Sequence, residues 1–382
     1  MKKSAIVYAT GFSFIFLMLM ARATRAQDGA HGSASKDAVK YRYESTWPKL
    51  PLPNKWTMEP VTGMYVDKDD HIWVLHRPAD FDLDKTENYA SLNPPIAECC
   101  VRPPAVLEFD REGNLLRSWG GPNTDPNWSA THTILVDKTG VVWLGTPGGV
   151  LKYTMDGKFI SRLGEKQAKA VDPTLQNNQA HNIAGQPAGI ELDENAHELY
   201  LADGYVNKRV VVWDSETGAF KRAWGAYGVS IDQIDNNPAP THDPSGPPAK
   251  QFRNPVHCVH LSHDGFVYVC DRGGDRIQVF TKQGKFIKEF FVANNTLDKG
   301  SVGSIDFSPD PQQKYLFVSD IMNNVVWILN RNDGSVAGRF GGMGHSGGLF
   351  HWLHVATMDS RGNVYTGEVE TGKRVQKFVP LN

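Results

Sequence analysis

From residue 57 to the end, short apolar runs alternate with polar turns, unit after unit. Each unit reads as an apolar strand, a polar turn and a second apolar strand. An Asp/Asn/Gly-rich turn follows, then a third and often a fourth strand. The clearest units are VHLSHDGFVYVCDRGGDRIQVFTKQGKFIKEF and IELDENAHELYLADGYVNKRVVVWDSETGAFKRAW. A unit spans roughly 40–45 residues, the period of propeller blades. Six are counted, at about 57–122, 128–167, 176–228, 250–295, 300–344 and 347–382. The first carries an insertion, 78–103, and a Pro-rich polar stretch, 228–249, separates the third from the fourth. Alternation at Ile277, Val279 and Phe280 suits half-buried strands. No window outside the N-terminus carries a helical period. The pattern therefore predicts an all-β, six-bladed propeller rather than a sandwich. The last unit has only three clear strands. The strand-like YRYESTW (41–47) is expected to complete it and close the ring, removing an unpaired edge.

Three of the six units, the second, fourth and sixth, begin with a histidine. His132, His257 and His354 each stand eight residues before a turn glycine, Gly140, Gly265 and Gly362. In a six-fold ring alternate units lie about 120° apart, so the three imidazoles surround one axis at one end of the channel. A lone histidine is usually a satisfied core or surface residue, but a trio in register is a metal site. Three neutral imidazoles with an open fourth position make a catalytic zinc arrangement, and iron or copper would also fit.

Composition narrows the class. The net charge is −2 with no basic run, which argues against nucleic acid as a partner. Ten Trp suit packing between blades. Residues 1–26 read as a secretory signal: Lys2 and Lys3, an apolar run from Ala5 to Met20, then small residues near Ala26. The run is short for a membrane span. The mature protein is expected in the periplasm or outside the cell, as a monomer, with a membrane anchor only if the signal stays uncleaved. Residues 27–56 form an N-terminal segment with the closing strand, and 57–382 form the propeller. Export permits disulfides. Cys258 and Cys270 flank a turn symmetrically, as a cross-strand disulfide or as two reduced core thiols. Cys99 and Cys100 form a vicinal disulfide or remain thiols.

Two further residues fall on the same rim. Arg77, in IWVLHRP, ends the second strand of the first blade. It is either a surface arginine pairing with Asp80 or Asp82, or a fixed cation that holds an anion or lowers a neighbour's pKa. Tyr205, in ADGYVNKRV, follows the second strand of the third blade. It is a packing tyrosine or, near a metal, a base. Asp203, Asp271 and Asp320 recur at one position in blades three to five, which suggests a structural turn role.

The repeat, with DGFVYVCDRGGDRIQVF as its best example, resembles the NHL repeat. The order HRP, THTILVD, DGYVNKR, NPVHCVHL and LHVATMD resembles the peptidyl-α-hydroxyglycine α-amidating lyases, six-bladed NHL-like propellers. The resemblance implies zinc held by His132, His257 and His354, with Arg77 and Tyr205 as catalytic residues. It also implies cleavage of the N–Cα bond of a C-terminal α-hydroxyglycine, giving a peptide amide and glyoxylate. In that mechanism zinc and Arg77 polarise the hydroxyl and carboxylate end, and Tyr205 takes the hydroxyl proton. Two positions depart from the family. Trp352 replaces a methionine, and Val355 replaces an aspartate that serves a structural calcium, so calcium is not carried over. The expected substrate is a small molecule or a peptide C-terminus. Two other readings compete. A calcium-dependent lactonase propeller needs Glu, Asn and Asp converging on the channel, and no such set stands at matched positions. A non-enzymatic NHL propeller would use its rim to bind a protein or glycan.

Overall fold

Each repeat unit folds into a four-stranded antiparallel sheet, and six such sheets are found among the described residues. The computed structural model describes residues 39–77, 89–122, 124–167, 173–237 and 239–381. The expected export signal and residues 78–88 of the first-unit insertion lie outside these, as do Asp80 and Asp82. The innermost strands of blades I to VI are Val61–Val66, Thr133–Val136, Pro187–Asp193, Val256–Leu261, Val302–Phe307 and Leu353–Met358. Among the described residues no helix is long and apolar enough to cross a membrane.

Side-chain chemistry at the first turn explains why each chain reversal occurs where it does. In blade II, Asp137 Oδ1 accepts from the backbone N–H groups of Thr139 and Val141, and Oδ2 accepts from Trp143 Nε1 at 2.8 Å. Gly140 then takes φ +86°, which glycine adopts without steric cost. Asp67 repeats the device in blade I with Trp73, and Asp359 in blade VI with Tyr365. An aspartate that satisfies its own turn is a strong local stop signal.

The ring closes as the three-strand count of the last unit requires. Lys40–Glu44 pairs antiparallel with Val375–Leu381, from Lys40 opposite Leu381 to Glu44 opposite Lys377. Blade VI is thus built from both ends of the chain.

The strands are more deeply buried than their alternation suggests. Ile277, Val279 and Phe280 are all buried, because each blade lies between two others and its inner three strands are covered on both faces. The outer strands keep a wet side, with Leu116, Ile160, Ile287 and Val336 exposed. The apolar core is accordingly six separate layers, one per blade junction. Cys258, Cys270 and Ile277 of blade IV meet Val302, Ile305 and Leu316 of blade V. Val61 and Leu107 of blade I meet Val355 and Tyr365 of blade VI. Trp213 is fully buried between blades II and III. One such indole removes roughly 150–250 Å² from water, worth about 4–6 kcal/mol by area. The cysteine alternatives resolve into two disulfides. Cys258 joins Cys270 directly across the ladder, and Cys99 joins Cys100.

Candidate metal centre

A β-bulge at one fixed position aims the metal-binding side chains. The inner-strand ladder skips one residue near its start in five blades: Thr62, Ala188, His257, Gly303 and His354. In blade II, His132 holds the corresponding place just before its strand, with its N–H on Gly145 O at 3.0 Å. A bulge turns one residue out of the pleat. On even-numbered blades that residue is a histidine. On odd-numbered blades it presents a carbonyl, and each carbonyl serves the histidine of the preceding blade. His132 Nδ1 donates to Ala188 O at 2.9 Å, and His257 Nδ1 donates to Gly303 O. The Thr62 carbonyl is the matching acceptor for His354, although His354 Nδ1 makes no hydrogen bond of full geometry. Gly189 lets blade III approach blade IV closely beside the centre. A Cβ there would lie 2.9 Å from Cys258 Cα and 3.1 Å from His257 O.

With Nδ1 directed outward, Nε2 is left for the axis. The ligating atoms of the three histidines lie within 4.8 Å of one another, and all three residues are buried. Burial holds the imidazoles neutral. It pushes His132 down to about 3, with the Arg77 guanidinium acting in the same direction. His257 and His354 are likewise held well below the ordinary histidine range by burial, assisted by nearby cations. Neutral imidazoles oriented by backbone carbonyls are what a metal ion requires of histidine ligands. The donor set therefore fits a transition-metal ion. A second acid–histidine group, Asp67, His71 and Glu108, does not. Asp67 is used by its own turn and Trp73, and Glu108 binds both His71 and Arg117.

The structure brings Tyr205 and Arg77 to this centre. Tyr205 stands in blade III, between two histidine blades. Its hydroxyl lies 2.8 Å from His132 Nε2 and 3.1 Å from His257 Nε2. Arg77, in blade I, lies near enough to depress both His132 and His354. Asp203 fixes the tyrosine's turn. It accepts from Gly185 N at 2.8 Å, Asn207 Nδ2 at 2.7 Å and Arg209 Nε at 2.9 Å. Asp271 makes the same kind of pair with Arg276, at 2.8 Å, and Asp320 binds Asn323 and Trp327. These aspartates are structural supports.

Arg272 belongs to the same group, and its sequence position went unread. It is buried, disfavours protonation of all three histidines, and lies 5.9 Å from the centre of the Tyr205 ring. Its Nε donates to Lys299 O at 2.9 Å. The available signal was positional. Arg77 follows the last residue of its second strand, His76, and Arg272 follows Asp271 in the same way.

Fold and site together define an NHL-like six-bladed β-propeller with a buried trihistidine centre, similar to the α-amidating lyase propellers. No family model matches the chain. Human NHL repeat-containing protein 3 is 26% identical over 298 residues, covering 73% of this chain and 74% of that protein. Peptidyl-glycine alpha-amidating monooxygenase B of Xenopus laevis is 32% identical over 259 residues, 66% of this chain but 26% of that much longer protein. Among solved structures, a structural genomics protein of unknown function from Bacteroides thetaiotaomicron shares the fold. Its TM-score is 0.54 at 14% identity, over 91% of this chain and 74% of that one.

Proposed function

We propose that the protein is an exported, metal-dependent lyase that cleaves the N–C bond of an α-hydroxyglycine-type substrate, releasing an amide and glyoxylate. The observation that carries this reading is the Tyr205 hydroxyl, 2.8 and 3.1 Å from two inward-facing imidazole nitrogens. His132, His257 and His354 would hold the ion, zinc in the first instance, with iron or copper as alternatives. The bound ion supplies Lewis acidity at the substrate's oxygens. Arg77 and Arg272 provide two cations for the substrate's carboxylate, a pairing that guanidinium geometry favours. Tyr205 accepts the proton of the carbinol hydroxyl. The C–O bond becomes a carbonyl, the C–N bond breaks, and the departing amide nitrogen takes up the proton. The atoms balance without oxidant or reductant. Export rests on the N-terminal pattern and is supported by two disulfides, which persist in oxidising compartments.

The test is elemental analysis of the purified protein beside His257→Ala, followed by an assay of glyoxylate release from α-hydroxyglycyl peptides. One ion per chain, lost in the variant, together with glyoxylate release, supports the reading. Stoichiometric metal without glyoxylate release removes the lyase assignment. A second reading is a binding propeller for a protein or glycan, in keeping with the likeness to human NHL repeat-containing protein 3. Absence of a stoichiometric metal selects it.

A further inference from the structure

The axial channel has two unlike ends. Towards one lie Tyr205, Arg77 and Arg272. Three residues further along the inner strands, about 10 Å at strand rise, three consecutive blades present Glu191, His260 and Asp306. The ladder puts them towards the opposite end. Glu191 pairs with Tyr200, His260 with Tyr268 and Asp306 with Phe317, whereas the strand ends that lead into Tyr205 and Arg272 pair at Pro187–Asp203 and Val256–Asp271. His260 Nδ1 lies 3.3 Å from Glu191 Oε2. Asp306 Oδ2 accepts from Thr357 Oγ1 at 3.0 Å and Met358 N at 2.8 Å.

This end is open, and it reaches the metal centre. The side chains of His260 and Glu191 are 31% and 21% exposed, whereas the trihistidine residues are 2–4% exposed. One cavity of about 260 Å³ is lined by His132, His257 and His354 and also by Glu191, His260 and Asp306. Among the described residues lining it, Arg77, Tyr205 and Arg272 do not appear. The Tyr205 hydroxyl instead covers the nitrogens from the other side. A divalent cation approaching there meets two fixed guanidinium groups. From the Glu191 side it meets two carboxylates and an imidazole, all of them metal-binding groups.

We infer that divalent metal ions load into the trihistidine centre through the acidic mouth, drawn in by the carboxylates of Glu191 and Asp306 that line the way. The inference rests on the trihistidine reading above. Carboxylates at the mouth attract a hydrated divalent ion, and the three converging imidazoles retain it. The channel then separates its traffic by charge: cations enter at one mouth and an anionic substrate at the other.

The experiment is stopped-flow mixing of metal-free protein with Co²⁺ at low ionic strength, following the visible bands of the bound ion. Wild type is compared with Glu191→Gln, Asp306→Asn and the double variant. The double variant should load about tenfold more slowly, within the range of electrostatic steering. It should keep the same one-ion endpoint and spectrum. Release to a chelator should slow by the same factor, since charges on the path affect both directions. Equal loading rates with an intact one-ion endpoint would overturn the inference alone. No one-ion uptake by wild type would remove the trihistidine reading and this inference with it. Wild type supplies a further check that needs no substitution. Its loading rate must fall as salt rises, and a salt-independent rate overturns the acidic entry path.

Discussion

The buried pair behind Tyr205 sets up a quantitative test of how the catalytic rim is held. Asp203 and Arg209 have fully buried side chains, 2.9 Å apart. Arg209 also donates to the carbonyls of Asn178, at 2.6 Å, Ala180 and Ile183, at 2.8 Å. At an effective dielectric of about 20, two unit charges at this separation attract by roughly 6 kcal/mol, and desolvation offsets most of it. Removing one partner leaves the other charged, buried and unpaired, which costs about 3–5 kcal/mol. Asp203→Ala also strips the acceptor from Gly185 N and Asn207 Nδ2. The assay is equilibrium denaturation of metal-free wild type, Asp203→Ala, Arg209→Met and the double variant. The single Asp203 variant should lose about 3–5 kcal/mol, and the double should fall short of the sum of the singles by about 2 kcal/mol or more. A loss under about 1 kcal/mol, or simple additivity, would refute the claim that this ion pair organises the Gly204–Tyr205 turn.

Three further outcomes are expected. Tyr205→Phe should keep its metal, because the three histidines are untouched, yet lose about 10²–10⁴-fold in glyoxylate release; an active variant removes the tyrosine from the chemistry. Burial pushes His76 down to about 4. Above pH 6.5 it is neutral folded and unfolded, and as pH falls towards 4 only the unfolded chain takes the proton. Metal-free protein should therefore lose about 3 kcal/mol from this residue between pH 7 and 4, a loss that His76→Leu removes in pH-dependent urea titrations. Asp275 has the opposite sign. Burial raises it to about 7, so its contribution is full below about pH 4 and is lost progressively as pH rises from there to 7. Asp275→Asn, which keeps an acceptor for Ser301 N and tolerates the φ of +52°, should melt higher than wild type at pH 8, with the gain shrinking through pH 5 and gone below about pH 4.

Much of this architecture is legible in the chain because the blade turn is written in side chains. The aspartates, glycines and tryptophans of VDKTGVVW and its relatives specify the reversal, and the spacing from that turn carries the histidines into register. The closing strand was readable from a missing fourth strand. The carbonyl partners of the histidines were not. Thr62, Ala188 and Gly303 share no side-chain chemistry, and a backbone oxygen leaves no signature in residue identity. Arg272 escaped because its blade already carried a histidine, although Arg77 marked the position. Double-sided burial of the inner strands also escaped. Polar residues such as Gln278 break the apolar pattern, yet this one is buried and hydrogen-bonded to Glu289.

The pairing of each imidazole with a carbonyl from the following blade has a topological consequence. Blade II leans on blade III and blade IV on blade V, both pairs being contiguous in the chain. The third couple joins blade VI to blade I, the last inner strand to the first. The Thr62 carbonyl is brought to His354 only when the two ends of the propeller have met, and the strand that seals blade VI is Lys40–Glu44. Two ligands are thus set by neighbours in sequence and the third by circular closure, which makes a competent centre a reporter that the whole ring has been assembled.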